Sequence, residues 1–232
     1  MNKTPRLSKS GIEYLDYQWG IFSGCHNWQN GICPVQNCWA KGFATRFSNI
    51  YPNGFEPTFY PEAIDSPKHL KKPSIIGVGW VGDVIGYCNK VSERSMILQT
   101  ILQCPQHTFL FLTKNPDRII SWGSFPDNCW VGVTATNPQM FYEAQAYLER
   151  VVAIVRYISL EPFLERIWAP QINAGILDWL IIGAQTNPYK PPNVEWVQRV
   201  VRACRMVGVP IFLKNNLEPI LDGRKLIQEL PK

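Results

Sequence analysis

No stretch of the 232 residues stays apolar for the roughly 18 positions that a membrane-spanning helix needs. Nor does an apolar segment follow the basic start MNKTPRLSKSG. The expectation is therefore a chain without a secretory leader or a membrane partner, located in the cytoplasm. Internal repeats, low-complexity tracts and linker-like stretches are also missing, which favours one domain over residues 1–232. Charge is sparse. Charged residues make up 18% against 46% apolar, a balance that excludes a disordered chain. Lys and Arg exceed Asp and Glu by 23 − 18 = 5, which an ordinary solvated surface explains and a polyanionic partner would tolerate. The two concentrated basic stretches are Lys68, His69, Lys71 and Lys72, and Arg199, Arg202 and Arg205 at helical spacing.

An even cysteine count is lacking as well. The seven cysteines, with no export signal, argue against a disulfide framework. Cys88, Cys104, Cys129 and Cys204 are scattered singly and read as small buried hydrophobes. Cys25, Cys33 and Cys38 fall together in the stretch 24–40, GCHNWQNGICPVQNCWA.

What is present is a series of short apolar runs rich in β-branched and aromatic residues: 75–80, 108–113, 130–134, 155–160, 179–184 and 210–214, with weaker candidates at 14–22 and 57–60. They are continuous rather than alternating, as strands covered on both faces of a parallel sheet are. Helical patterns lie between them. One runs over 92–103 with Ser92 as N-cap, carrying Met96, Ile97, Ile101 and Leu102. Another spans 140–153 with Tyr142, Ala146, Leu148 and Val152. A third spans 193–208 between an Asn193 N-cap and a Gly208 C-cap. Shorter ones cover 35–47 and 115–122, the latter stopped by Gly123. The alternation predicts an α/β fold, a single (βα) TIM-type barrel or partial barrel of six to eight parallel strands.

In such a barrel the C-terminal strand ends gather at the mouth, where active sites are built. Here those ends read Gly82-Asp83, Thr113-Lys114-Asn115, Thr134 and Thr136, Glu161-Pro162, Gly183-Ala184-Gln185 and Lys214-Asn215-Asn216. Turn and cap chemistry explains many of the neutral residues. Charged Lys114, Glu161 and Lys214 at the ends of apolar strands point to the mouth. His107 precedes its strand and belongs to the opposite, stability face.

Three close thiols in a reducing compartment suggest a metal. Zinc wants four ligands, and His26 would have to supply the fourth beside Cys25, a strained arrangement whose gaps of seven and four residues match no common zinc-finger spacing. A 4Fe–4S cluster normally takes four thiolates, so three leave one iron open for a small molecule.

With Trp39 directly after the last cysteine and a barrel pattern following, the chain resembles the radical S-adenosylmethionine (SAM) enzymes. More closely, it resembles a three-cysteine family associated with phages and mobile elements, distantly similar to spore photoproduct lyase. The resemblance runs from about Tyr14 to Leu217 through Gly24-Cys25, Cys33, Cys38-Trp39-Ala40, Leu70-Lys71-Lys72-Pro73, Gly82-Asp83, 105–109, 112–118, 130–133, 155–162, 178–183 and 208–214. Two positions depart from it: the cysteine gaps differ from the CxxxCxxC pattern, and Gly183-Ala184-Gln185 stands where relatives read Gly-Gly-Glu.

The resemblance implies a 4Fe–4S cluster on Cys25, Cys33 and Cys38, with SAM on the open iron cleaved reductively to a 5′-deoxyadenosyl radical. It implies a flavodoxin- or ferredoxin-type reductant and leaves the substrate open, a nucleic acid base being the candidate. Gly79 and Gly82 would let a ligand approach the backbone, and Asp83 and Glu161 would meet an amine or ribose. Lys114 and Lys214 would meet a carboxylate or phosphate, and Thr134, Gln185 and Asn215 would add neutral hydrogen bonds. Trp19, Trp28, Trp39 and Trp80 offer stacking on adenine or a nucleobase, against core packing as the simpler reading. The competing classes are a zinc-stabilised, non-enzymatic nucleic-acid-binding protein and a cluster protein that serves as an inactive scaffold.

Overall fold

A computed structural model describes residues 7–34, 38–168 and 172–231. The chain has an α/β fold with a mostly parallel eight-stranded sheet interleaved with helices. Closure of that sheet into a barrel is not seen among the described residues. The chain divides into two compact units, Met1–Val131 with Val152–Ile154, and Gly132–Val151 with Val155–Lys232.

The first unit holds β1 (Leu7–Lys9), β2 (Tyr17–Trp19), β3 (Phe22–Gly24), α1 (Trp39–Arg46), β4 (Thr58–Phe59), β5 (Ile75–Val78), β6 (Val81–Gly82), α2 (Val84–Tyr87), α3 (Val91–Leu102), β7 (Thr108–Thr113) and α4 (Pro116–Ile119). Its main strands order as β1-β2-β5-β7. The β2–β5 and β5–β7 pairs are parallel, whereas β1 runs antiparallel to β2. This departure from the all-parallel expectation breaks the pattern locally, as do two antiparallel pairs outside the main sheet, β3 with β4 and Gln185–Thr186 with Tyr189–Lys190. For β1 and β2 the reason is chain length, since residues 10–16 suffice for a hairpin but not for a crossover. A small sheet, β4-β3-β6, carries the cysteine loop at the end of β3. Trp19, Ile76, Phe109 and Phe111 are fully or almost fully buried, and the Trp19 indole N–H donates to the Ala63 carbonyl at 2.8 Å.

The strand β8 (Cys129–Ala135) begins in the first unit and ends in the second, which continues with α5 (Pro138–Leu148), β9 (Val155–Leu160), β10 (Trp179–Ile182), the hairpin β11 (Gln185–Thr186) and β12 (Tyr189–Lys190), α6 (Val194–Val207) and β13 (Ile211–Leu213). Strands β9, β10 and β13 are parallel neighbours, with Leu160, Ile182 and Leu213 in register at their C-terminal ends. Tyr157 and Trp179 fill one face of this unit at 0% exposure.

The strands at 108–113 and 155–160 match the sequence expectation, and the other runs shorten or extend by one or two residues. The weak run 14–22 splits into β2 and β3. Helix α6 starts at the Asn193 cap, whose side chain accepts from the Glu195 amide at 2.8 Å, and stops at Gly208 in the left-handed region with φ of 77°. Two helix starts differ. Helix α3 begins at Val91 with Lys90 at its N-cap, so Ser92 already lies inside the helix. Helix α5 begins at Pro138, two residues before the expected start, because Asn137 caps it by accepting from the Met140 amide. Its buried stripe is therefore Phe141, Ala144, Gln145 and Leu148, and Tyr142 and Val152 stay exposed. The expected helix at 35–47 is observed as α1; positions 35–37 lie outside the described residues. All four scattered cysteines are buried.

Candidate cofactor site

The cysteine loop grows out of the end of β3. Gly24 has φ of +82°, and a Cβ there would lie 2.4 Å from the Glu56 carbonyl oxygen, so only glycine lets the strand end turn against that backbone. Cys25 follows directly. The loop then folds back on Asn27, whose carbonyl accepts from the Ile32 and Cys33 amides at 2.8 and 3.0 Å. Cys38 occupies the N-cap position of α1, its carbonyl accepting from the Gly42 amide at 3.0 Å.

Cys25, Cys33 and Cys38 are free thiols, each half-buried. Burial pushes the Cys25 thiol up to about 12. The Asn27 backbone N–H opposes that rise, Asp83 and Cys38 reinforce it, and Lys114 opposes it. Asp83, Cys38 and Lys114 are thus each within electrostatic reach of Cys25. Among the described residues, no three His, Cys, Asp or Glu side chains gather closely enough to hold a metal ion. The donor chemistry, soft sulfur with no disulfide, fits an iron–sulfur group. Cys38 is within electrostatic reach of Cys25, and the Cys33 amide is bonded to the Asn27 carbonyl. His26 is engaged elsewhere, its Nε2 lying 2.9 Å from Glu56 Oε2.

Beneath the loop lies a buried polar network centred on Asp83, which is 3% exposed. Its Oδ2 accepts from Asn27 Nδ2 (3.0 Å), Thr113 Oγ1 (2.9 Å), the Lys114 amide (3.0 Å) and Asn115 Nδ2 (2.9 Å). Its Oδ1 caps α2 by accepting from the Gly86 amide at 2.9 Å. Five donors satisfy this carboxylate inside the protein, as a buried charge requires. Asp83 therefore binds the loop to the end of β7, a role the sequence did not reveal because its partners are 56, 30, 31 and 32 positions away. Asn27 and Tyr87 escape sequence reading for the same reason.

Gly79 and Gly82 serve the fold around this network. A Cβ on Gly82 would lie 2.5 Å from the Gly24 backbone, and Gly79 turns the chain between β5 and β6 at φ of +66°. The close approach they permit is that of the chain to itself. Trp19 is core, and Trp80 is half-buried with its indole N–H directed to the Leu110 carbonyl at 3.3 Å. Trp28 and Trp39 are each 51% exposed, with the Lys41 ammonium 5.2 Å from the Trp28 ring centre.

The remaining expected residues belong to the second unit. A Cβ on Gly132 would strike the Tyr157 ring, so Gly132 and Tyr157 share a face. By strand alternation Thr134 and Ser159 lie further along that face. At its C-terminal end the Lys214 ammonium pairs with the Glu161 carboxylate. Gly183 makes the room: a Cβ there would be 3.1 Å from Glu161 Cδ and from Lys214 Cδ. Thr134 is buried at 3% exposure. The buried Ser159 hydroxyl has no hydrogen-bond partner among the described residues. Gln185 closes its own hairpin by donating to the Pro188 carbonyl at 3.0 Å, and Asn215 accepts from Gln228 Nε2 at 2.9 Å. His107, 1% exposed, faces the Leu70 carbonyl ahead of β7, where the sequence put it.

The mostly parallel sheet interleaved with helices defines the class: an α/β protein with polar groups at the carboxyl ends of its parallel strands. Within that class the chain belongs to the family described as a protein of unknown function (DUF5131), whose profile matches residues 9–220. No curated protein and no solved structure matches it. Among the described residues no helix is long and apolar enough to cross a membrane.

Proposed function

We propose that this protein is a radical SAM-type enzyme in which Cys25, Cys33 and Cys38 hold a 4Fe–4S cluster, on a sheet curled as a partial (βα) barrel. The observation that carries the reading is the fastening of a three-thiol loop, through buried Asn27 and Asp83, to the carboxyl end of β7. Strand ends of this kind are where α/β folds bind ligands, and a loop rigidly tied there can present sulfur to a cofactor. When bound, the cluster supplies the electron that cleaves the SAM sulfonium to a 5′-deoxyadenosyl radical.

The chain's own groups do the positioning. Lys114 places a cation beside Cys25, suited to a carboxylate. In the second unit Glu161 and Lys214 offer an acceptor and a donor side by side, suited to an amine or ribose and to a carboxylate or phosphate. The electron comes from a flavodoxin- or ferredoxin-type donor, and the proposed substrate is a nucleic acid base. The exposed indoles of Trp28 and Trp39 support the last assignment, since base–aromatic stacking is sequence-tolerant.

Anaerobic reconstitution with iron and sulfide tests the reading. The expected product is brown protein with a broad band near about 400 nm, lost in Cys25→Ala, Cys33→Ala and Cys38→Ala but kept in Cys204→Ala. Incubation with SAM and dithionite then yields 5′-deoxyadenosine by mass spectrometry. Protein that takes up zinc and no iron, and binds nucleic acid without consuming SAM, would replace this reading with the zinc-stabilised binding protein.

A further inference from the structure

Asn27 is a buried amide between Cys25 and Cys33 in the chain, 3% exposed, and its carbonyl and both ends of its side chain are hydrogen-bonded. Its carbonyl accepts from the amides of Ile32 and Cys33, at 2.8 and 3.0 Å. Its side-chain Nδ2 donates to Asp83 Oδ2 at 3.0 Å. Its Oδ1 accepts from the Tyr87 hydroxyl at 2.9 Å and from Asn115 Nδ2 at 2.7 Å. Asn115 Nδ2 in turn donates to Asp83 Oδ2 at 2.9 Å, and the Asn115 backbone N–H donates to Thr113 Oγ1, also at 2.9 Å.

Only an amide fits this place. One end must donate to a carboxylate while the other accepts from a hydroxyl and an amide. Aspartate would set a second carboxylate against Asp83, and leucine would leave Asp83, Tyr87 and Asn115 short of partners in the interior.

We propose that Asn27 is the positioning residue of the thiol centre: it ties the Cys33 backbone, and the chain two residues after Cys25, to the end of β7. This rests on the cluster reading above. Partners that orient ligands typically contribute about 10- to 100-fold in metal affinity, and a displaced ligand changes the surroundings that set an iron–sulfur group's potential.

The test compares the parent protein with Asn27→Ala, Tyr87→Phe and, as an exposed loop control, Gln29→Ala, all reconstituted anaerobically. Three quantities are read: iron and sulfide per chain, the half-time of iron loss to a chelator, and the midpoint potential with the electron paramagnetic resonance spectrum of the reduced protein. Thermal unfolding is followed alongside. Asn27→Ala is expected to lose iron about 10- to 100-fold faster, with a shifted potential and spectrum. Tyr87→Phe, which keeps the ring and removes one donor to Asn27, is expected to lose iron a few-fold faster, and Gln29→Ala to match the parent. If Asn27→Ala fails to fold, Tyr87→Phe decides. A loaded parent whose Tyr87→Phe and folded Asn27→Ala forms keep its release rate, potential and spectrum overturns the positioning role and leaves the cluster reading standing. A parent that takes up no iron overturns both.

Discussion

The two units bring polar residues to the carboxyl ends of parallel strands in opposite ways. In the first, Asp83 is buried and saturated by five donors from Asn27, Gly86, Thr113, Lys114 and Asn115. In the second, Glu161 and Lys214 meet as an ion pair that remains partly open to solvent, in a gap that Gly183 provides. The same units also treat thiols differently from carboxylates. Cys204 is a buried residue of α6, and burial, reinforced by Glu229, pushes its thiol up to about 12, so it stays neutral. A buried carboxylate collects donors, a buried thiol stays neutral, and a charge met by an opposite one can remain near the surface. By that contrast the Asp83 network holds the loop, and Glu161 and Lys214 satisfy each other.

The largest effect that would sharpen the contrast is that of Asp83→Ala. It strands several buried donors at once, and unsatisfied groups cost about 1–3 kcal/mol each when isolated, with partial relaxation here. A net loss of about 3 kcal/mol corresponds to a fall in Tm of roughly 6–12 °C for a chain this long. A change within 1 °C in a thermal melt would mean that the network is solvated and the comparison false. Next comes Lys214→Met, expected to lose about 1–2 kcal/mol in denaturant unfolding because Glu161 then lacks its partner. The double variant Glu161→Gln/Lys214→Met should recover part of that loss. Singles that add without coupling would show that the two side chains do not act as a pair.

The smallest effect concerns pH. Because the folded Cys204 pKa lies above the unfolded value of 9.0, its stabilising contribution is complete below pH 9 and declines as the pH rises toward about 12. Cys204→Ala should therefore unfold with a shallower alkaline dependence than the parent, by up to about 1 kcal/mol per pH unit. Equal slopes would show that the thiol is not held neutral by the fold.

Much of this architecture was legible in advance. The strands Thr108–Thr113 and Val155–Leu160 are unbroken apolar runs, and α6 carries its own start and stop in Asn193 and Gly208. The late placement of α5 came from overlooking Asn137-Pro138, a cap and first-turn pair written in the sequence. The cysteine cluster was visible because its members are neighbours in the chain. Asn27 was not, since nothing local distinguishes it from Asn30 three residues on, which is exposed.

The amino-acid sequence alone determined the alternation of strands and helices, the burial of the four scattered thiols and the grouping of the other three. Those properties follow from hydrophobic patterning and short-range chain chemistry. Only the tertiary structure decided that Asp83 anchors rather than faces outward, that Gly82 yields its space to Gly24, and that Glu161 finds Lys214. Each depends on which groups fill the surroundings of a side chain, and those groups come from positions tens of residues apart.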